Sequence, residues 1–423
     1  MNIKLQKSKL ETRNWQLAIT GSKSETNRLL LLQALYPNLI LENTSNSDDS
    51  IVMTKALNYD LSSRAQSREI DVHHAGTAMR FLTSYFAIQE NKEVVVTGSS
   101  RMKERPIKIL VDALKQLGAK ISYQENEGFP PIKIKGKKLT QSKISLNANV
   151  SSQYISALLL IAPKLENGLE LTLQGEITSV PYIKMTLALL NEIGVETSFI
   201  ENRIVVKPAV TPSAVEVPFS KNIIVESDWS SASYFYSIIT LSEVGTQITL
   251  SKYKENSLQG DSVLAKIYND FGVETKFNNN KSITILKVNN CQLSNINYQL
   301  NNCPDIAQTI AVTCFGLGIG CHLTGLHTLR IKETDRLQAL KNELEKLGAQ
   351  VTITVESLTL TSSSKINENI TIKTYQDHRM AMAFAPLALK TNIIIEDAEV
   401  VSKSYPTFWE DLKSIGFNLE TLK

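Results

Sequence analysis

The sequence predicts an α/β fold with internal pseudo-symmetry, and two observations carry that prediction. The first is a helix-glycine-strand ending that recurs as LKQLGAKI, LNEIGVET, YNDFGVET, LEKLGAQV and LKSIGFNL, with its glycines at Gly118, Gly194, Gly272, Gly348 and Gly416. Their separations of 76, 78, 76 and 68 residues exceed the roughly 20–50 residues of a solenoid repeat, so each copy marks a whole supersecondary unit. A sixth, weaker copy is KALNYDL, with Asn58 in the glycine's place, because asparagine is the next best residue for the left-handed conformation that ends a helix. The second observation is that alternating segments such as EVVVTG and SITILKV flank helix-period segments such as PIKILVDALKQLG. Six such units fill the 423 residues, a length that exceeds one hydrophobic core and predicts three units in each of two domains. A boundary is predicted near Val225 to Asp228, after KPAVTPSAVEVPFSKN at 207–222, with Asp228 capping a new helix in SDWSSASYFYSII.

Net charge is only +3, which argues against a general nucleic-acid binder and leaves room for local basic sites only. The four cysteines, Cys291, Cys303, Cys314 and Cys321, fall in one late segment without the paired spacing of a zinc site, which suits free thiols in a reducing compartment. The N-terminus lacks the apolar core of a signal peptide and carries Glu11, where a transit peptide avoids acid. No apolar run approaches the roughly 20 residues that span a bilayer. A cytoplasmic protein is expected.

Anion-binding signatures recur at helix starts along the chain. Gly21 to Leu32, GSKSETNRLLLL, reads as a loop opening a helix, with Ser24 as N-cap and Lys23 and Arg28 beside it. It is not a P-loop, which needs a further upstream glycine to wrap phosphates. In HAGTAMR, from His74 to Arg80, Gly76 either lets a ligand approach the backbone closely or serves a tight strand-to-helix connection. In SRMKERP, Arg101, Lys103 and Arg105 gather before Pro106, a favoured first helical residue, so three cations sit at the positive end of a helix. Ser151, Ser152 and Gln153 precede the apolar YISALLLIA, and Ser179 and Tyr182 bracket Pro181; hydroxyls there suit phosphate, and ordinary capping produces the same pattern. Asp305 follows Pro304 at the head of IAQTIAVTCFG, where a carboxylate is structurally ordinary but becomes a poised base beside cations. Asp377 reads as the cap of the helix MAMAFAPLAL, whose first turn carries His378 and Arg379 against the dipole. Lys403 stands in the loop VVSKSYP. His73, His322 and His327 have no partners at metal-ligand spacing, and no HExxH, GxSxG or EF-hand loop is present.

The densest constellation is LRIKETDRLQALKNELEKLG, from Leu329 to Gly348. Leu337, Leu340, Leu344 and Leu347 recur at helical spacing, Glu343 and Lys346 are expected to face outward, and Gly348 ends the helix. Asp335 reads as the cap. Lys332 and Arg336 lie where the helix dipole disfavours cations by roughly 0.3–1 kcal/mol, a cost that either a nearby anion or a solvated charged turn with local ion pairs accounts for.

Taken in order, GSKSETNR, AGTAMR, RMKERP, SSQY, SVPY, the pair Pro304-Asp305, RIKETDR, YQDHRMAM and KSYP resemble the 5-enolpyruvylshikimate-3-phosphate synthase family of enolpyruvyl transferases, from Lys23 to Lys403. The resemblance implies a two-domain inside-out α/β barrel of six βαβαββ repeats, three per domain, with helix N-termini facing an interdomain cleft. It implies one domain at 21–226, with the shikimate-phosphate site and part of the phosphoenolpyruvate site. The other, 1–20 with 227–423, would carry the acid/base carboxylates and phosphoenolpyruvate cations.

The implied reaction joins shikimate 3-phosphate to phosphoenolpyruvate and releases phosphate, in the pathway to chorismate and the aromatic amino acids. By motif correspondence, Ser24 and Arg28 would hold the shikimate carboxylate, and Ser151, Ser152, Ser179, Tyr182 and Lys332 its phosphate. Phosphoenolpyruvate would meet Lys23, Gly76 with its neighbour Thr77, Arg101, Gln153, Arg336, Arg379 and Lys403. Asp305 would take the proton of the attacking hydroxyl and Glu333 would protonate the methylene carbon, with Lys23 and His378 assisting; the reverse assignment satisfies the same proton balance. Neither cofactor nor metal is implied, the two small molecules are the only partners, and a monomer that binds neither nucleic acid nor membrane is expected. The resemblance also implies that glyphosate competes with phosphoenolpyruvate and that ligands close the domains. Three positions depart from the family pattern: His74 and Thr328 at or near usual asparagines, and Phe81 for the proline after Arg80. The sister family acting on UDP-N-acetylglucosamine carries a cysteine on its first-domain catalytic loop, whereas this chain has none before Cys291. A non-catalytic anion-binding repeat protein would not need Asp305 and Glu333 among its cations.

Overall fold

A computed structural model describes residues 1–58, 68–147, 151–175, 177, 179–209 and 221–422. The repeating element is clearest between Lys143 and Val206. Strand Lys143–Asn147, helix Ser152–Ile161, strand Leu169–Gln174 and helix Val180–Glu192 are followed by the strands Thr197–Ile200 and Arg203–Val206. The first two strands pair in parallel across the helical crossover, and the fourth and third add antiparallel at the edge of a four-stranded sheet. Parallel neighbours need the long crossover and antiparallel neighbours need only a tight turn, so the βαβαββ order sets the pairing.

The same pattern builds five four-stranded sheets among the described residues, with two strands described of a sixth. Three of these repeats draw a strand from elsewhere in the chain. Asn14–Leu17 pairs in parallel with Gln247–Ser251, Asn2–Gln6 completes the sheet of Asn418–Leu422, and Lys221–Ile224 pairs in parallel with Leu39–Glu42. The chain divides into two compact units, Met1–Gly21 with Glu226–Lys423, and Ser22–Val225.

The five repeat glycines all have positive φ, from 76° to 106°. At Gly272 space adds to conformation, since a Cβ would lie 2.2 Å from the Asn289 carbonyl oxygen. Asn58 departs from the expected pattern: its φ is −88°, so that helix ends without a left-handed residue. Residues 210–220, in the segment that precedes the expected boundary at Val225 to Asp228, lie outside the described residues. Asp228 does cap the helix Trp229–Leu241, accepting from Ser231 N at 2.7 Å.

Both units bury apolar helices. Helix Trp229–Leu241 is buried at every residue but Ser230 and packs on Ala307–Leu317. The hydroxyls that fall inside this contact pair with each other, Ser233 with Thr309 at 3.0 Å and Thr313 with Ser237 at 2.8 Å, because an unmatched buried hydroxyl is costly. Leu337, Leu340, Leu344 and Leu347 are fully buried, each contributing about 2 kcal/mol. Glu343, expected to face outward, is instead completely buried. No helix among the described residues is long and apolar enough to cross a membrane.

Candidate active site

In the unit containing both chain ends, the charged residues converge on Arg336. It opens the helix Arg336–Lys346, capped by Asp335, which accepts from Gln338 N at 3.1 Å. The Arg336 side chain is 2% exposed. Its Nε donates to Asp377 Oδ2 at 2.5 Å, and its terminal nitrogens donate to Asp305 Oδ1 at 2.9 Å and Glu333 Oε2 at 2.6 Å. Burial alone would lower its pKa, but Asp377, Glu333 and Asp305 hold it above the ordinary arginine value. The counter-charge is therefore three carboxylates of the chain itself: Glu333 is a local ion pair three residues away, and Asp305 and Asp377 are distant in sequence.

Asp305 lies in a single 3-10 turn at Pro304–Ile306, ahead of the helix Ala307–Leu317. Lys332 Nζ lies 3.4 Å from its Oδ1, and Arg379 lies 3.4 Å from its Oδ2. Burial pushes its carboxyl upward, but Lys332, Arg379 and Arg336 outweigh that and hold it well below the carboxylate range. Asp377 caps the helix His378–Phe384, accepting from Arg379 N at 2.9 Å while it binds Arg336. His378 is buried beside it, Nδ1 lying 3.9 Å from Asp377 Oδ1. Arg379 also donates to the Asp305 carbonyl and to Ser230 Oγ, each at 3.2 Å. Lys403 ends a 3-10 stretch and donates to the Gln376 carbonyl at 2.6 Å.

Asp261, absent from the sequence expectation, belongs to this cluster. Its Oδ2 accepts from Ser230 Oγ, and its buried Oδ1 has no hydrogen-bond donor among the described residues. Burial pushes the carboxyl up to about 6, with Arg379 opposing. The folded value lies above an unfolded value of about 4, so the fold favours the neutral acid. Stability from this group is therefore full below about pH 4 and falls as pH rises through about 6, by about 3 kcal/mol. Asp261→Asn is expected to flatten that slope and to be the more stable protein at pH 7.5. Urea unfolding of both proteins at pH 4.5 and 7.5 tests this; identical slopes would exclude Asp261 as their source.

The other unit, Ser22–Val225, holds a second polar cluster. Lys23 begins the helix Lys23–Leu35, and its N-cap is Ser22 rather than the expected Ser24: the Ser22 hydroxyl accepts from Glu25 N at 3.5 Å. Ser24 lies inside the helix, where its carbonyl accepts from Arg28 at 2.7 Å. Buried Arg28 also donates to Thr186 Oγ1 at 2.8 Å, to Ser156 Oγ at 2.9 Å and to the Tyr182 carbonyl at 3.4 Å. Burial lowers its pKa to about 10, against the opposing influence of Tyr182 and Glu25. Phe81, one of the departures, packs under the same guanidinium at 5.5 Å. Asp49 lies 3.8 Å from both Lys23 Nζ and His74 Nε2.

Gly76 starts the helix Gly76–Ala87, and the space against it is taken by Arg105, whose guanidinium atoms lie 2.5–2.8 Å from where a Cβ would be. Glycine thus admits a cation of the chain. Arg80 braces the same corner, donating to the Gly76 and Pro106 carbonyls at 3.0 Å each. Arg101 and Lys103 differ from expectation: they belong to the separate turn Ser100–Lys103, the next helix starts at Lys108, and each pairs with a carboxylate, Glu104 and Glu125. Gln153 donates to Thr77 at 3.1 Å. Ser151 caps the helix Ser152–Ile161. Ser179 takes the left-handed conformation at φ 54° before the helix Val180–Glu192, and its hydroxyl makes no capping bond.

The folding of each unit thus gathers Asp305, Lys332, Glu333, Arg336, His378 and Arg379 in one, and Arg28 with Ser24 and Tyr182, Lys23 with Asp49, and Thr77 with Gln153 in the other. Lys403 joins its cluster through Gln376, and Arg101 pairs with Glu104 at the end of its own turn. Sequence reasoning missed Asp49, Asp261 and Ser230 and took Asp377 only as a cap. The usable signal for Asp377 was the opposed-dipole pair His378-Arg379 beside it, whereas nothing local marks Asp261.

A model of the EPSP synthase (3-phosphoshikimate 1-carboxyvinyltransferase) family matches residues 10–412. The chain is 44% identical over 409 residues to the 3-phosphoshikimate 1-carboxyvinyltransferase of Bacteroides fragilis strain YCH46, covering 96% of each. It is 35% identical over 426 residues to that of Haemophilus influenzae, covering 94% of this chain and 95% of the relative. Among solved structures, an EPSP synthase from Acinetobacter baumannii shares the fold at TM-score 0.78 and 21% identity, over 99% of this chain and 100% of that one. The enolpyruvyl transferase NikO from Streptomyces tendae aligns at TM-score 0.72 and 12% identity, over 99% and 98%. The fold class is therefore the two-domain inside-out α/β architecture of these enzymes. A family match across nearly the whole chain, joined to relatives aligned from end to end, places the chain in the EPSP synthase family of 3-phosphoshikimate 1-carboxyvinyltransferases.

Proposed function

We propose that Asp305 and Glu333 carry out the proton transfers of the family reaction, in which the enolpyruvyl group of phosphoenolpyruvate passes to the 5-hydroxyl of shikimate 3-phosphate. The observation that carries this reading is their shared contact with Arg336, at 2.9 and 2.6 Å, which fixes two carboxylates beside one buried cation. In the addition step the 5-oxygen bonds to C2 of phosphoenolpyruvate, its proton goes to Asp305, and Glu333 protonates the methylene carbon. In the elimination step a methyl proton returns to a carboxylate as the C2–O bond to phosphate breaks. Asp305 is a weak base while Lys332 and Arg379 face it. Substrate anions that draw those cations toward themselves raise its basicity when the reaction needs it.

Both substrates carry phosphate and carboxylate, and the chain's cations neutralise them. Ser24 and Arg28 serve the shikimate carboxylate, and Ser151, Ser152, Ser179, Tyr182 and Lys332 its phosphate. Lys23, Gly76, Thr77, Arg101, Gln153, Arg336, Arg379 and Lys403 serve phosphoenolpyruvate, and Lys23 and His378 assist the proton transfers. The two units thus divide the work: residues 21–226 supply all the shikimate-phosphate groups but Lys332 and part of the phosphoenolpyruvate set, and residues 1–20 with 227–423 supply the acid/base pair and the other phosphoenolpyruvate cations. The protein acts as a cytoplasmic monomer.

Phosphorus NMR of the protein with both substrates and no added metal is expected to show inorganic phosphate; its absence would overturn the proposed activity. Gly76→Ala is expected to displace the Arg105 guanidinium and raise KM for phosphoenolpyruvate about tenfold, equivalent to about 1.4 kcal/mol. Steady-state kinetics with each substrate varied in turn checks this, and an unchanged KM would count against the packing argument.

A further inference from the structure

Two consecutive non-glycine residues, Tyr375 and Gln376, have φ values of 54° and 58° immediately before Asp377. For a bulky aromatic residue the left-handed conformation is a real outlier, and it persists only where surrounding contacts over-determine it. Those contacts come from Glu343, two turns along the helix from Arg336. Its carboxylate accepts from Tyr375 OH at 2.7 Å and from Lys373 N at 3.0 Å, and Lys346 Nζ donates to both oxygens at 2.8 and 2.7 Å. Tyr375 OH in turn accepts from Asn342 Nδ2 at 3.4 Å. Lysine charge, phenolic hydroxyl and backbone amide all meet at the one buried carboxylate, as a buried ion requires.

What the turn delivers lies on its far side. The Gln376 carbonyl receives Lys403 Nζ at 2.6 Å, and the Asp377 carboxylate receives Arg336 Nε at 2.5 Å. Relaxing the left-handed pair would rotate that carbonyl and shift the cap, moving both cations at once.

We infer that Glu343 and Tyr375 are positioning residues, clamping the strained turn so that it presents the Gln376 carbonyl to Lys403 and the Asp377 carboxylate to Arg336. The inference rests on the reading that Lys403 and Arg336 serve phosphoenolpyruvate. Tyr375→Phe removes the hydroxyl with little change in packing, and Glu343→Gln keeps an acceptor without the charge. Each is expected to raise KM for phosphoenolpyruvate about tenfold, a loss of about 1.4 kcal/mol, and to leave KM for shikimate 3-phosphate within about twofold. Adding Gln376→Gly to Tyr375→Phe is expected to restore part of the loss, because glycine adopts the left-handed conformation without side-chain strain. A merely structural role would lower Tm and move both KM values together, or neither, and that result would overturn the inference.

A second measurement does not depend on turnover. In protein carrying 13C-methylated lysines, the Lys403 signal, assigned by its loss in Lys403→Arg, is expected to shift in Tyr375→Phe. An unchanged signal refutes the clamp whatever the enzyme turns over. A shifted signal in a protein that releases no phosphate keeps the clamp and overturns the functional reading instead.

Discussion

Arg336→Met is expected to abolish phosphate release and to lower the unfolding free energy by about 3–5 kcal/mol, the cost of stranding charges when one partner of a buried ion network is removed. The arginine's donors are taken up by Asp305, Glu333 and Asp377, and Asp377 is wholly buried. Without the guanidinium, three carboxylates face one another across the space it filled. Lysine is not an adequate replacement, because a single ammonium cannot reproduce the planar fork that reaches three acceptors. Urea unfolding of the variant near neutral pH reads the stability loss. A change under 1 kcal/mol would mean that the carboxylates rearrange to water instead. Acidification should narrow the difference between variant and parent, since protonating the stranded carboxylates relieves their repulsion. The Asp305 carboxyl, held far down by Lys332, Arg379 and Arg336 against its burial, gives the parent stability that is lost as pH falls through that depressed value.

Asp305→Asn and Glu333→Gln are each expected to lower kcat by about 10²–10⁴-fold, the range of general acid-base catalysis. Asparagine keeps the shape of Asp305 and can still accept from Arg336, but it cannot take a proton. It also removes a negative charge that lies 3.4 Å from both Lys332 and Arg379, so phosphoenolpyruvate should bind as tightly or more so. Rapid-quench measurement of a single turnover, with calorimetric titration of each substrate, separates the two effects. Loss of binding with kcat preserved would make Asp305 a binding residue and sink its role as base. If the first step slows in one variant and elimination in the other, the experiment also assigns acid and base.

Much of the architecture was legible in the sequence because its signals are local. A helix that gives way to a strand needs a residue of positive φ at its end, and the five repeat glycines all have it. Asn58 failed the same test because its helix stops in an ordinary right-handed turn, which places no demand on residue type. Capping was read well at Asp228, Asp335 and Asp377, where one carboxylate accepts from an amide two or three residues on. It was misread at Ser24 because two serines in register compete, and the loop geometry selects Ser22.

Charged positions were harder. Glu343 falls next to the leucine stripe, and its type argued for exposure; it is buried because Lys373 N and Tyr375 OH arrive from 30 and 32 residues away. Gly76 was read as room for a ligand, yet Arg105 fills that space from a neighbouring turn.

By itself, the sequence determined six α/β units, the helix starts that gather cations, and the ordered motifs that mark an enolpyruvyl transferase. All of these depend on residues within a few positions of one another, where helical period, capping and φ preference operate. The tertiary structure decided which charge meets which. The dipole argument pointed to a counter-charge for Arg336 without naming it, and Asp305 and Asp377 are 31 and 41 residues away from it. Coulomb energy depends on distance in space, and only the packed sheets and helices bring those carboxylates within 3 Å of the guanidinium.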